Sequence, residues 1–429
     1  MPKTSSRRPR NRATTKEETI MNVLRRHFAW RLCHLVLLVT LSVAVTGLSH
    51  AQKRYDPGAS DTEIKIGNIV PYSGPASPWS TFGKVAEAYI TKVNAEGGIN
   101  GRKIKFISVD DGYNPAKTLE QARKLVEEEQ VLAIWGVLGT TPNLAIQRYM
   151  NTKNVPQLFL ASGATRFGDP KNFPWSMGWQ PSYQQESRLY AQHILTTKPN
   201  AKIAVLMQND DFGKDYYKGL VDGLGDKAQA MIVQHSTFEL TDATVDSQMF
   251  AAKASGADVF FNIATPKFAA QAIRKAAEIG WKPTQYLVAT SQSIAGTLKP
   301  AGLDNAAGVI TVTWQREPSD PSAQDSKDVK DFFAFMKQYY PSGDSNDSVI
   351  VTGYCSIQTM VQVLKQAGDT LTRENLMKQA ANLSTTVPML YPGVEIKTSP
   401  DDFHPIKKVQ MLRFNGTRYE AFGLSATRG

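Results

Sequence analysis

Hydroxyl and glycine residues gather in three short loops of this chain: Pro71-Tyr72-Ser73-Gly74-Pro75, Gly136-Val-Leu-Gly139-Thr140-Thr141-Pro142 and Ala161-Ser162-Gly163-Ala164-Thr165. Such residues, with free backbone amides beside them, suit hydrogen bonding to a small anion rather than covalent chemistry. Thr141 reads as a helix N-cap and Pro142 suits the first helical position. That puts Thr140 where helix amides lack partners and a carboxylate is welcome. Any one of these loops reads equally well as a plain connector, whereas three in one half of the chain read as a binding edge. Catalytic constellations are missing: there is no Gly-x-Ser-x-Gly, His-Glu-x-x-His, Walker A or Cys-x-x-Cys string. Gly223-Leu-Gly225-Asp-Lys-Ala228 fits a dinucleotide spacing, yet it closes a helix instead of following a strand, and so reads as helix termination. His193, His235 and His404 have no ligand spacing, so neither a metal nor a cofactor is expected.

The elements that must present these loops alternate. Strands are predicted at 64–70, 103–110, 131–134 and 157–160, with helices at 82–96, 115–129 and 143–153 between them. Val85, Tyr89 and Val93 give the first helix one sheet-facing stripe. This is βαβα order, hence a parallel sheet covered on both faces, and ligands of such sheets bind at the carboxyl ends of the strands, where the three loops lie. After Met177-Gly-Trp-Gln-Pro181 the alternation restarts, with strands at 203–208, 231–238, 259–263 and 285–289. An apolar run at 308–314 leads to helices at 329–340 and 349–367. The chain then ends in a hairpin, 409–414 and 417–422, with Asn415-Gly416 as a type I′ turn.

The segment Ile64-Lys-Ile-Gly-Asn-Ile-Val-Pro-Tyr-Ser-Gly-Pro75, followed by Asn94-Ala-Glu-Gly-Gly-Ile-Asn-Gly-Arg102, resembles the opening of the periplasmic branched-chain amino-acid-binding proteins of the Leu/Ile/Val-binding type. The similarity runs from about Asp61 to about Gly423. It implies the type I periplasmic binding fold: α/β, two doubly wound parallel-sheet lobes joined by a three-crossing hinge. Lobe 1 would comprise 60–180 plus 313–384, and lobe 2 would comprise 181–312 plus 385–429. It also implies a substrate-binding protein of an ABC importer, a small-molecule ligand, permease subunits of the inner membrane as partners, a monomer and no enzymatic step.

In amino-acid-binding members of that family a serine at the position of Thr140, a backbone group at Gly163 and a threonine at Thr165 hold the ligand's carboxylate and ammonium. An aromatic corresponding to Trp79 covers the ligand side chain. Those members have tyrosines at the positions of Phe212 and Ala264 and an acid at about Thr290, and this chain departs from all three. An ammonium withdrawn from water needs a carboxylate or several acceptors. Asp210 and Asp211 are the acids at hand, and a solvated loop is their alternative role. With Ser73, Thr141 and Ser162 completing the polar edge, Trp79, Phe212 and Ala264 describe a cavity for a planar or apolar body. The expected ligand is an apolar or aromatic carboxylate, with a branched-chain or aromatic amino acid as the neighbouring reading. A sensor feeding a receptor or regulator is the alternative function, and a hydrolase the remote one.

Composition agrees with an exported globular protein. Residues 1–51 hold nine of the 49 Lys and Arg but two of the 39 acids, so the net charge of +10 falls to +3 for the remainder and no nucleic-acid footprint survives. Arg25-Arg26 and Arg31 precede the apolar run 32–45, and Ser49-His50-Ala51 offers the small residues a signal peptidase reads. The run would span roughly 21 Å as a helix against a hydrocarbon core of about 30 Å, so a cleavable signal peptide ending near Ala51 and a periplasmic destination are expected over a permanent anchor. Arg25-Arg26-His27-Phe28 also partly fits a twin-arginine signal, and Met21 is an alternative start. Cys33 lies in the leader, which leaves Cys355 without an intramolecular disulfide partner and reading as a buried small hydrophobe.

Overall fold

A computed structural model describes Met21 and residues 53–426. The predicted leader, its cleavage position at Ala51 and the Arg25-Arg26 string lie outside the described residues. Among those residues no helix is long and apolar enough to cross a membrane.

Two sheets organise the body. The first holds β1 (Glu63–Val70), β2 (Lys103–Asp110), β3 (Ala133–Trp135), β4 (Gln157–Leu160) and β5 (Ser176–Gly178), all parallel, in the order β2-β1-β3-β4-β5. The second holds β6 (Ile203–Gln208), β7 (Ile232–Phe238), β8 (Val259–Ile263), β9 (Thr284–Leu287), β10 (Ile310–Thr313), β11 (Lys408–Phe414) and β12 (Tyr419–Ala426), in the order β12-β11-β10-β9-β8-β6-β7. The α/β fold with two parallel-sheet lobes is therefore present, and the C-terminal hairpin extends the second sheet antiparallel through β11.

The central strands carry continuous apolar runs because helices cover both of their faces: β6 and β8 are buried along their whole length. Covering helices include α1 (Thr81–Ala95), α2 (Pro115–Arg123), α3 (Thr140–Lys153), α4 (Tyr183–Thr197), α5 (Asp211–Leu224), α6 (Asp246–Ala254) and α7 (Pro266–Glu278). Later in the chain come α8 (Lys327–Tyr339) and α9 (Ser348–Ala367). Val85 and Val93 of α1 are buried, but Tyr89 turns to α8 and α9, edge-on to Phe335 and Tyr354. Helix α9 returns to lie on α1. A Cβ on Gly353 would come within 2.6 Å of Val85, so the two backbones meet only because that residue has no side chain. Cys355, on the same helix, is fully buried with its Sγ directed at the Pro388 carbonyl.

Local signals held in most places and slipped in several. Helix α3 begins at Thr140 with Gly139 as its N-cap, so it starts ahead of the 143 predicted. Thr141 is not the cap, and its hydroxyl donates to Asp210 instead. Helix α5 stops at Leu224 with Gly225 at φ +57°, so the dinucleotide-like glycines do end a helix. The third strand lies at Ala133–Trp135, later than the 131–134 predicted. In the hairpin, the Asn415 amide bonds the Arg418 carbonyl, so the central pair is Gly416-Thr417 and only Gly416 has positive φ. That is the pattern of a type II′ turn rather than I′. The Asn415 side chain explains the shift, since its oxygen accepts the Thr417 and Arg418 amides and is used outside the turn's centre.

Candidate functional site

The carboxyl ends of the two sheets face one another across a cavity. From the first sheet come Trp79 and Phe82 after β1, Tyr113 after β2, and Leu138, Gly139 and Thr140 after β3. Tyr183, Phe212, Ala289, Thr290 and Gln292 arrive from the opposite side. Trp314 and the first turn of α9, through Ser348, Val349 and Thr352, close the back. No Asp, Glu, Lys, Arg or His is among the lining residues.

Helix α3 explains the polar pole. Its N-cap is Gly139 at φ +101°, which brings no capping side chain, so the first amides of α3 have no side-chain acceptor. Glycine is required there twice over, because a Cβ would also sit 2.3 Å from the Tyr113 ring. The Thr140 hydroxyl lies 2.8 Å from that of Ser162, which is fully buried behind it. Burial pushes the Tyr183 hydroxyl well above the usual phenol range, against the pull of Ser162, the Gly163 backbone and Thr140 beside it. A helix start flanked by hydroxyls is a place where a carboxylate is stabilised without a cationic partner.

The rest of the wall is aromatic. Trp79 and Tyr113 lie 6.0 Å apart, and Tyr183 is edge-on to Phe212 at 5.6 Å while it stacks on Tyr216 at 4.2 Å. Several polar atoms of lining residues have no partner among the described residues: Trp314 Nε1, Thr290 Oγ1, Gln292 Oε1 and the Tyr113 hydroxyl, which lies near Gln208 and the Thr140 amide without a bond of good geometry. Buried polar groups are rarely left so, and each costs about 1–3 kcal/mol until something satisfies it.

Behind the second half of the wall, Glu186 accepts the Tyr190 and Tyr216 hydroxyls at 2.9 Å and the Ala289 amide at 2.8 Å. Burial, resisted by those three donors, pushes its carboxyl up to about 7. Its anchorage fixes the turn 289–292, which is pinned again by Ser291 donating to the Ala264 carbonyl at 2.6 Å.

Of the ten residues singled out from sequence, Trp79, Thr140, Phe212 and Thr290 line the cavity. Ser162 stands directly behind Thr140, and the Gly163 carbonyl accepts the Tyr183 amide at 2.8 Å. Ala264 is buried in the second core with its carbonyl on Ser291. Ser73 lies away from the cavity, donating to Asp110 at 2.7 Å. Thr141 donates to Asp210, and Thr165 is bound by Asp215 and Ser182. Asp210 is half-buried and outside the cavity wall, capping α5 through the Gly213 amide at 3.1 Å, and Asp211 is exposed at the start of that helix. Tyr113, Tyr183, Trp314, Ser348 and Thr352 went unnoticed. For Tyr113 a signal existed, since it follows the second strand as the three loops follow theirs; the others stand in apolar or helical runs with nothing to set them apart.

Comparison with known proteins places this architecture. A family model described as periplasmic binding protein matches residues 63–418. A Leu/Ile/Val-binding protein homolog of Brucella suis is 23% identical over 339 residues, covering 77% of this chain and 82% of that protein. The structure of a branched-chain amino acid ABC transporter protein from Thermus thermophilus with bound valine superimposes with a TM-score of 0.76 at 17% identity, covering 86% of this chain and 97% of that one. A solute-binding protein of an ABC transporter from R. palustris in complex with benzoate gives 0.71 at 20% identity, over 85% and 96%.

Proposed function

The chain belongs to the periplasmic binding protein family, and from that premise we propose that it captures a small carboxylate with an aromatic or apolar body by closing two lobes around it. It is a solute-binding protein for a small molecule and not an enzyme. The finer reading covers ligand, partners and location. The protein is exported by its leader, works as a monomer in the periplasm and hands its ligand to ABC permease subunits in the inner membrane. Its lobes take the boundaries 60–180 plus 313–384 and 181–312 plus 385–429.

The observation that carries the ligand class is a wall without a charged side chain. An α-amino acid enclosed there would bring an ammonium with no carboxylate to meet it, at a cost of several kcal/mol. A carboxylate alone is served by the start of α3 and the hydroxyls of Thr140 and Tyr183, while Trp79, Tyr113 and Phe212 supply ring faces for its body. Thr165, which the amino-acid-binding members turn to the ligand, is bound here by Asp215. The benzoate held by the R. palustris relative is a ligand of the class proposed.

A thermal-shift screen of benzoate, other aromatic acids, short fatty acids and valine, followed by calorimetric titration, tests this. Aromatic or apolar carboxylates should stabilise the protein by about 2.7 kcal/mol at a hundred times their dissociation constant. Stabilisation by valine with none by benzoate or the fatty acids would reverse the assignment.

A further inference from the structure

Two carboxylates of the α5 region reach out of the second half of the molecule and take hydrogen bonds from the first. Asp210, the N-cap of α5, is set by the Gly213 amide at 3.1 Å and by Gln208 Nε2 at 2.6 Å, both from its own half. Its Oδ2 also receives the Thr141 hydroxyl at 3.3 Å. Asp215, one turn later, is set by Gln184 Nε2 at 2.6 Å, and its other oxygen receives the Thr165 amide at 2.8 Å and hydroxyl at 3.0 Å. Each acid is thus held ready by one half and completed by the other. Thr141 stands in the first turn of α3, a helix whose own N-cap, Gly139, has no side chain to offer, so Asp210 supplies negative charge from across the cleft to a positive helix end. None of Thr141, Thr165, Asp210 and Asp215 lines the cavity, yet Phe212, between the two acids, does.

We infer that Asp210 and Asp215 form a catch: they set how tightly the protein holds its ligand by stabilising the closed arrangement, without touching the ligand themselves. The same docking that makes the two bonds carries Phe212 onto the bound molecule, so closure and contact are one movement. Hydrogen bonds to ionised groups are the stronger kind, and removing this pair should shift the open-to-closed ratio about tenfold or more. The inference rests on the closing-lobe reading above.

Thr141→Asp is the sharpest test. An acid in the first turn suits α3, so the fold tolerates it, while its charge repels Asp210. Titrated with benzoate or valine, Thr141→Asp and Asp215→Ala should bind about tenfold more weakly than wild type and, at a ligand concentration that half-saturates wild type, should be more expanded in small-angle scattering, while Thr141→Ser, which keeps the hydroxyl, matches wild type in both. Trp79→Ala serves as a control for opening, because Trp79 Nε1 donates across the cleft to the Thr290 carbonyl at 3.2 Å. If benzoate or valine compacts the wild type while Thr141→Asp and Asp215→Ala match its affinity and its scattering at that concentration, the catch is wrong and closure stands. If none of these variants or ligands changes the scattering, closure and catch fall together.

Discussion

Thr140 holds two positions at once, one in the cavity wall and one in a buried hydroxyl pair with Ser162. Thr140→Val keeps the shape and removes the donor. Binding of a carboxylate ligand should weaken by about 1.5–3 kcal/mol, and binding of its neutral amide by less, as measured by titration calorimetry. Equal losses would mean that the hydroxyl is not at the anionic end. Stability should also drop by about 1 kcal/mol, since Ser162 is left without its partner. At the other pole, Trp79→Ala deletes a ring that is almost fully buried against Tyr113 and should reduce affinity by about 1–3 kcal/mol. An unchanged dissociation constant would remove Trp79 from the ligand's surroundings. The polar end of this wall was legible as sequence to within two residues, because Thr141 and Pro142 announce a helix start whose cap falls on Gly139 instead. The aromatic end was only partly so. Tyr183 and Trp314 have the same chemistry as core residues, and nothing local distinguishes a ring facing a cavity from one facing a strand.

Among the elements, α3 depends most on a single residue. Gly139 takes a backbone conformation that L side chains avoid and also makes room for Tyr113. Gly139→Ala should therefore both strain the turn and push the ring into the cavity, costing about 1–3 kcal/mol of stability together with a loss of affinity. Thermal unfolding and ligand titration of that variant check both, and an unaltered midpoint would show that the turn relaxes freely. Strand and helix order were readable because burial on two faces leaves an unmistakable apolar run, as in β6 and β8, and because helices between them keep a one-sided stripe. Register was less readable. Asn415 looks like the first central residue of a turn, and its side chain instead reaches forward to cap the following amides, which moves the turn by one position.

For the whole molecule, two buried acids shift furthest among the carboxyls that burial raises, beside Asp111, Asp210 and Asp347, while His193 and His235, lowered by burial, act in the opposite sense. Burial raises Glu186 to about 7, and burial with the nearby charges of Asp347 and Asp320 raises Glu317 to about 8. Both values lie above those of the unfolded chain, where glutamate titrates near about 4.3. The folded state therefore binds more protons than the unfolded one between the two limits, and stability falls as pH rises through that window. The unfolding midpoint should decline from pH 5 to pH 8 and level off above it. Glu186→Gln and Glu317→Gln should each flatten the decline, and the pair together should flatten it further. A wild-type midpoint that climbs over this range would contradict the burial of both carboxyls.

The sealed thiol of Cys355 has a practical consequence. Burial pushes it far above the usual thiol range, and a thiol that is neither ionised nor accessible does not alkylate. It is the one cysteine among the described residues, so in a chain that begins at Gln52, and thus lacks Cys33, a cysteine introduced at exposed Glu239, in a groove shared with Tyr113 and Pro115, would take a maleimide dye alone. The folded protein can thus be turned into a single-label optical reporter for its own solute without first replacing Cys355.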